Sequence, residues 1–156
     1  VNYIQEYWNA IETGEVVVSA RVRAVYQRLA KETREPPAGF AFDERRAQRP
    51  VEFIERFCKH SKGEWAGRPV KLELFQRAYL SALFGFVHQG SRLRRFRETL
   101  FMVGRKNGKS TLLAGLALYM LMADGEPGAE VYSVATKKDQ ARLIFDEAHN
   151  MVRQSP

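Results

Sequence analysis

The apolar positions of this chain change period several times, and each change marks an element. Tyr3, Ile4, Tyr7, Trp8 and Ile11 recur at helical spacing and stop at Thr13-Gly14, which predicts a first helix. Val18, Val22, Val25, Tyr26 and Leu29 trace a second, closed by Glu35-Pro36-Pro37. Phe40 and Phe42, then Asp43 as a cap, lead into a third with Val51, Ile54, Phe57 and Cys58 inward. Pro50 should kink that helix or restart it at its first turn. A polar loop with two glycines follows, His60 to Pro69, and then an amphipathic helix from Leu72 to Val87.

In the second half the apolar runs shorten. Leu100 to Val103 reads as a strand, Gly104 to Gly108 as a tight polar loop, and Lys109-Ser110-Thr111 as the opening of a long apolar helix. Asp124 to Gly128, with two glycines and a proline, is a turn cluster. Val131 to Ala135 reads as a second strand. Thr136 could then cap a final helix, Lys137 to Arg153, with Ala141, Ile144, Phe145, Ala148 and Val152 on one face. Strands alternating with helices argue a parallel sheet. The expected fold class is therefore α/β: an incomplete parallel sheet in the order strand-loop-helix-strand-helix, preceded by a helical N-terminal region. Residues 1–60 make up the helical region and 61–156 the first part of the α/β domain.

Composition adds bounds. The 156 residues carry 45% hydrophobic and 28% charged side chains, an ordinary globular balance with enough apolar mass for a core. The net charge of +7 suits a polyanionic partner, although solvated Lys/Arg faces are common. The arginines and lysine at 21, 23, 28 and 31 read as such a face. A single cysteine, Cys58, excludes an internal disulfide and fits a buried thiol in an apolar stripe. Asn2, Gln5 and Glu6 interrupt any secretory signal, and the run Leu112 to Ala123 is too short to span a bilayer. A reducing, cytoplasmic setting with no membrane partner is expected. The chain opens on Val1 and ends on Ser155-Pro156 after an amphipathic segment, so a piece of a longer protein is expected as well.

The candidate chemistry sits at the first strand–helix junction. A helix N-terminus offers unpaired N–H groups and the positive end of its dipole, where phosphate oxygens settle. Gly108 would let the backbone approach a triphosphate closely. Lys109 would bridge the β and γ phosphates, and the Ser110 hydroxyl would hold Mg²⁺. Gly104, Arg105, Lys106, Asn107 and Thr111 complete the ATP-binding stretch. The spacing departs from G-x-x-x-x-G-K-[ST]: Val103 occupies the first glycine position and Gly104 comes one residue late.

Three further features have competing readings. Gly90 to Arg97 places four arginines, Arg92, Arg94, Arg95 and Arg97, before the first strand, either as a solvated turn or as a contact to phosphate or DNA backbone. His60, His88 and His149 show no metal-ligand spacing, so no zinc site is expected. Asp146-Glu147-Ala148-His149 spells the acidic motif of many helicases, which would make the chain a DNA-stimulated ATPase. A parallel strand ending at Phe145 would leave only Thr136 to Arg142 for its crossover, where about a dozen residues are needed. The flanking apolar positions keep helical spacing, which places Asp146 and Glu147 on a helix.

With these segments assigned, several motifs occur in one order: Phe42–Glu44, His60–Gly67, Leu72–Gln76, Arg94–Glu98, Gly104–Thr111 and Asp124–Ala141. In them the chain, from about Val16 onward, resembles the N-terminal part of a tailed-phage terminase large subunit. That family supplies the ATPase that drives DNA into a procapsid. The resemblance implies a P-loop NTPase fold, with ATP and Mg²⁺ as cofactors. It makes Arg105, four residues before Lys109, a catalytic arginine that senses or stabilises γ-phosphate charge, with Lys109 as its catalytic partner. It makes Gln76 a reader of the adenine edge, beside Phe75, where a bland reading is a helix-surface glutamine. Ala135 to Ala141 resembles the segment that couples ATPase state to DNA. Implied partners are double-stranded DNA, a small terminase subunit, a portal protein and a homo-oligomeric ring, in the cytoplasm of a bacterial host. Pro50 departs from the family pattern, and the acidic metal-binding strand, the coupling motif and the nuclease domain are missing. Alone, this stretch should bind nucleotide weakly and hydrolyse it poorly. A rival reading is a non-hydrolysing assembly module whose helical first sixty residues dock the small subunit or portal.

Overall fold

The computed structural model describes Val1–Ser155; Pro156, the last residue of the second expected region, lies outside the described residues. The elements are α1 (Tyr3–Glu12), α2 (Ala20–Arg34), β1 (Phe40–Phe42), α3 (Glu44–Phe57), α4 (Leu74–Gly85), β2 (Phe86–His88), α5 (Lys109–Met122) and α6 (Lys138–Gln154), with one 3₁₀ turn at Gly63–Trp65. No helix among the described residues is long and apolar enough to cross a membrane.

The chain divides into two compact units: Val1–Val51 with Glu73–Leu100, and Glu52–Leu72 with the residues from Phe101 onward. This division does not fall at residue 60. The reason is packing: α4, expected in the second region, buries its apolar residues against α1 in the first unit.

In the first unit, α1 is held at its start by Asn2, whose Oδ1 accepts from the Gln5 N–H, and ends at Thr13 before Gly14 turns left-handed. Ile4, Tyr7, Trp8 and Ile11 meet Leu29 and Ala30 of α2, Ala78 and Ala82 of α4, and Phe86. Only Leu29 and Ala30 of α2 are fully buried; Val22 and Val25, which mark its helical period in the sequence, are exposed. Asp43 caps α3 as expected, its Oδ1 accepting from the Arg46 N–H. Pro50 does not restart α3, which runs through it at the loss of one backbone donor.

The two strands form an antiparallel pair in register Phe40 with His88 and Phe42 with Phe86. It is the one sheet among the described residues, so the architecture is a mixed helix–strand one and the expected parallel sheet is not seen there. Leu100 to Val103 and Val131 to Ala135 lie in no sheet. Leu100 is 82% exposed, Met102 81% and Val134 89%. A strand is a paired object, and neither segment has a ladder partner among the described residues; β-forming side chains alone do not make one.

In the second unit, α5 and α6 pack side by side. Ile54 of α3 is fully buried against Gly115 of α5, and Phe53 meets Tyr119 edge-on at 5.6 Å. The loop after α3 closes on itself through His60 N–H to Arg68 O and Gly67 N–H to His60 O. It is tied to α6 by the Ser61 hydroxyl, which donates to Glu147 Oε2.

Candidate functional site

The loop from Gly104 to Gly108 enters α5 in the second unit. Lys106 and Gly108 both adopt φ of 66°, so the chain turns left-handed twice within three residues before the helix begins. Glycine takes that conformation freely, whereas Lys106 carries a strain of order 1 kcal/mol. Asn107 offsets it: Nδ2 donates to the carbonyls of Gly104 and Arg105, both at 3.2 Å, and cross-braces the loop. A Cβ on Gly104 would sit 3.3 Å from that same Nδ2. The bracing role of Asn107 was not apparent from sequence, although Asn two to three residues after a turn start is a known loop closer.

Helix α5 starts without a side-chain cap. Its first intrahelical bond runs from Leu112 N–H to Gly108 O, so the N–H groups of Lys109, Ser110 and Thr111 point out of the helix end with the dipole behind them. Arg105, Lys106, Lys109 and Ser110 are exposed. The structure therefore brings together Gly104, Arg105, Lys106, Asn107, Gly108, Lys109, Ser110 and Thr111. One turn of chain carries three cations, a hydroxyl pair and open amides, which is the donor set a polyphosphate requires. The exposed Ser110 hydroxyl oxygen is a group that fits a phosphate-bound Mg²⁺; among the described residues no group of three or more His, Cys, Asp and Glu forms a protein-only metal site.

Gln76 lies in the first turn of α4. It belongs to the first unit, is only 5% exposed, and its Oε1 accepts the Glu73 N–H at 3.0 Å as the third residue of α4. Its amide thus closes a helix N-terminus, a role neither reading of the sequence contained.

The acidic pair lies inside α6, as its helical period requires. Asp146 faces Arg142 one turn back at 3.4 Å, and Glu147 accepts from Ser61. Neither terminates a strand. The basic run before residue 100 is partly consumed by its own unit. Arg92 pairs with Asp43. Arg95 donates to Glu32 Oε2 at 2.6 Å and lies over the rings of Phe40, Phe86 and Phe96. Arg94 lies over Phe84, and Arg97 is exposed. The turn is in large part a structural clasp.

Burial pushes the Cys58 thiol up to about 11, which leaves it a neutral core group and not a nucleophile.

Comparison with known proteins covers the same stretch of chain. Residues 74–156, just over half of the chain, match the family described as the terminase large subunit, ATPase domain. The terminase large subunit of Enterobacteria phage HK97 is 31% identical over 112 residues, covering 71% of this chain and 21% of that protein. The terminase large subunits of Lactococcus phages p2 and SK1 are each 30% identical over 94 residues, covering 57% of this chain and 17% of theirs. The chain thus spans about a fifth of the length of these curated relatives. No solved structure matches it significantly. A braced phosphate-type loop opening an uncapped helix, inside the matched residues, leads to one statement of kinship: the chain belongs to the ATPase-domain family of terminase large subunits.

Proposed function

We propose that this chain is the ATP-binding portion of the motor that packages double-stranded DNA into phage procapsids. The observation that carries the reading is the Gly104–Thr111 loop, held in shape by Asn107 and delivered onto the open N-terminus of α5. Lys109 would bridge the terminal phosphates, the amides of Gly108 to Thr111 would accept their oxygens, and Arg105 would clamp the charge that spreads during transfer. Mg²⁺, held through the Ser110 hydroxyl, would neutralise phosphate charge. These groups position and stabilise; they supply no general base. Hydrolysis therefore belongs to the complete subunit, which also engages the small subunit and portal in a ring within the host cytoplasm.

The helicase-like alternative loses its support, because Asp146 and Glu147 are spent along α6. The test is Lys109→Ala in the complete subunit. It should lower ATP turnover by at least about a hundredfold, because one positioned cation contributes on the order of 3 kcal/mol to phosphoryl transfer. Normal turnover refutes the assignment. Calorimetric titration of the chain itself should give weak Mg·ATP binding that Lys109→Ala abolishes.

A further inference from the structure

The geometry points to the outer face of α2 as a docking surface for the phosphate backbone of duplex DNA. This deepens the packaging reading by naming a contact for the DNA, and it stands on a different unit and on different residues from the phosphate loop.

Helix α2 is among the most exposed helices of the chain; only Leu29 and Ala30 are buried. At about 100° per residue, Arg23, Gln27, Lys31, Arg34, Ala24 and Arg28 fall on one side, with Arg21 at its margin. Arg28, Lys31 and Arg34 line an open groove of about 520 Å³ between α2 and α1, floored by Trp8. Arg21, Lys31 and Arg34 are exposed with no ion pair among the described residues, and the contact from Arg28 to Glu32 is long, 3.8 Å. Glu32 itself is engaged by Arg95. Glu12 at the groove and Glu35 just past the helix are the acidic groups nearby. From Arg21 to Arg34 the cations extend over about 20 Å, the length of a run of backbone phosphates.

The chemistry of the face selects the partner. An acidic protein helix would need an apolar anchor, and the groove offers none: Trp8 is 8% exposed and Arg23 lies over its ring, fixed by its bond to Ile11 O at 2.9 Å. Single-stranded nucleic acid would need open aromatic faces to stack on, and the same arginine covers the one ring present. What remains is a groove whose apolar lining comes from side-chain stems, Ala24, Ala30 and the edge of Trp8, rimmed by guanidinium, ammonium and amide heads that suit phosphate oxygens and are indifferent to base sequence.

The experiment uses the intact chain, a fluorescein-labelled duplex and anisotropy across about 50–200 mM salt. The variant Arg28→Gln/Lys31→Gln/Arg34→Gln is set against the charge-matched control Arg45→Gln/Lys62→Gln/Lys71→Gln, all exposed positions. The α2 variant should bind at least about tenfold more weakly at the low-salt end and lose about 2.7 from the slope of log K against log[salt], at about 0.9 per phosphate contact. Its helical content, melting temperature and nucleotide binding should match the parent, so failure here is separable from failure of the ATP reading. Equal losses in the control, or no loss in the α2 variant, overturn the proposal. So does binding of polyglutamate through these residues without binding of duplex, which would mark an acidic protein partner.

Discussion

Gly115 sits in the middle of α5, where a glycine costs about 1 kcal/mol relative to alanine, so Gly115→Ala would ordinarily stabilise the protein. Here it should not. A Cβ at 115 would meet Ile54 Cγ1 at 3.0 Å, Cδ1 at 3.2 Å and Cγ2 at 3.3 Å. Ile54 is fully buried on a helix, where a β-branched side chain has one strongly preferred rotamer, so it cannot swing aside. Overpacking costs about 1–3 kcal/mol, which outweighs the propensity gain and leaves Gly115→Ala net destabilising by up to about 2 kcal/mol. Ile54→Ala alone should cost about 2–5 kcal/mol as a cavity substitution. In that background all three contacts are gone, and Gly115→Ala should turn stabilising by about 1 kcal/mol. The sign reversal is a coupling of about 1–3 kcal/mol, measurable as a double-mutant cycle in urea or heat, where 1 kcal/mol moves Tm by about 2–4 °C at this size. A Tm raised by Gly115→Ala in the parent, or lowered equally in both backgrounds, refutes the packing argument.

Three other outcomes are expected. Gln76→Ala should cost about 1 kcal/mol in thermal stability through the lost α4 cap, and comparing ATP with GTP turnover of the complete subunit in the same variant tests the adenine contact: a shift toward GTP supports it, an unchanged ratio refutes it. Glu147→Gln keeps an acceptor for Ser61, so it should shift stability by less than about 0.5 kcal/mol and leave ATP turnover of the complete subunit intact, whereas a dead enzyme would revive the helicase-like scheme. Burial raises Cys58 from 9.0 in the unfolded chain to about 11, so its contribution is whole below pH 9 and is lost as pH climbs through about 11. The gap in urea midpoint between parent and Cys58→Ala should therefore narrow over that window; a constant gap would contradict the buried placement.

Helices with a clear apolar stripe were legible, and so was the choice of period over spelling at Asp146-Glu147. What escaped had physical reasons. The strands β1 and β2 are three residues each, too short for an alternating pattern to register against a helical one. In α6 Met151 is the buried residue, while Phe145 and Val152 face out, the Phe145 ring parallel to that of His149 with centroids 6.3 Å apart. Hydrophobicity alone left the phase of that helix uncertain by one position. The burial of Gln76 could not be read because its partner is a backbone N–H, invisible to composition. The loop was legible as residues, while its rigidity depends on where the Asn107 amide points, which only coordinates reveal.

The interleaving of the two units has a consequence for the ribosome. Helix α1 emerges before α4, yet α4, about sixty residues later in the chain, supplies one of the surfaces that covers Ile4, Trp8 and Ile11. At about 5–20 residues per second, a nascent polypeptide carries that greasy stripe uncovered on this side for several seconds, a natural target for a holdase chaperone. Release before residue 73 would leave the first unit without the partner that seals it, so truncated products of this gene should be cleared by proteases and not accumulate as a folded helical fragment.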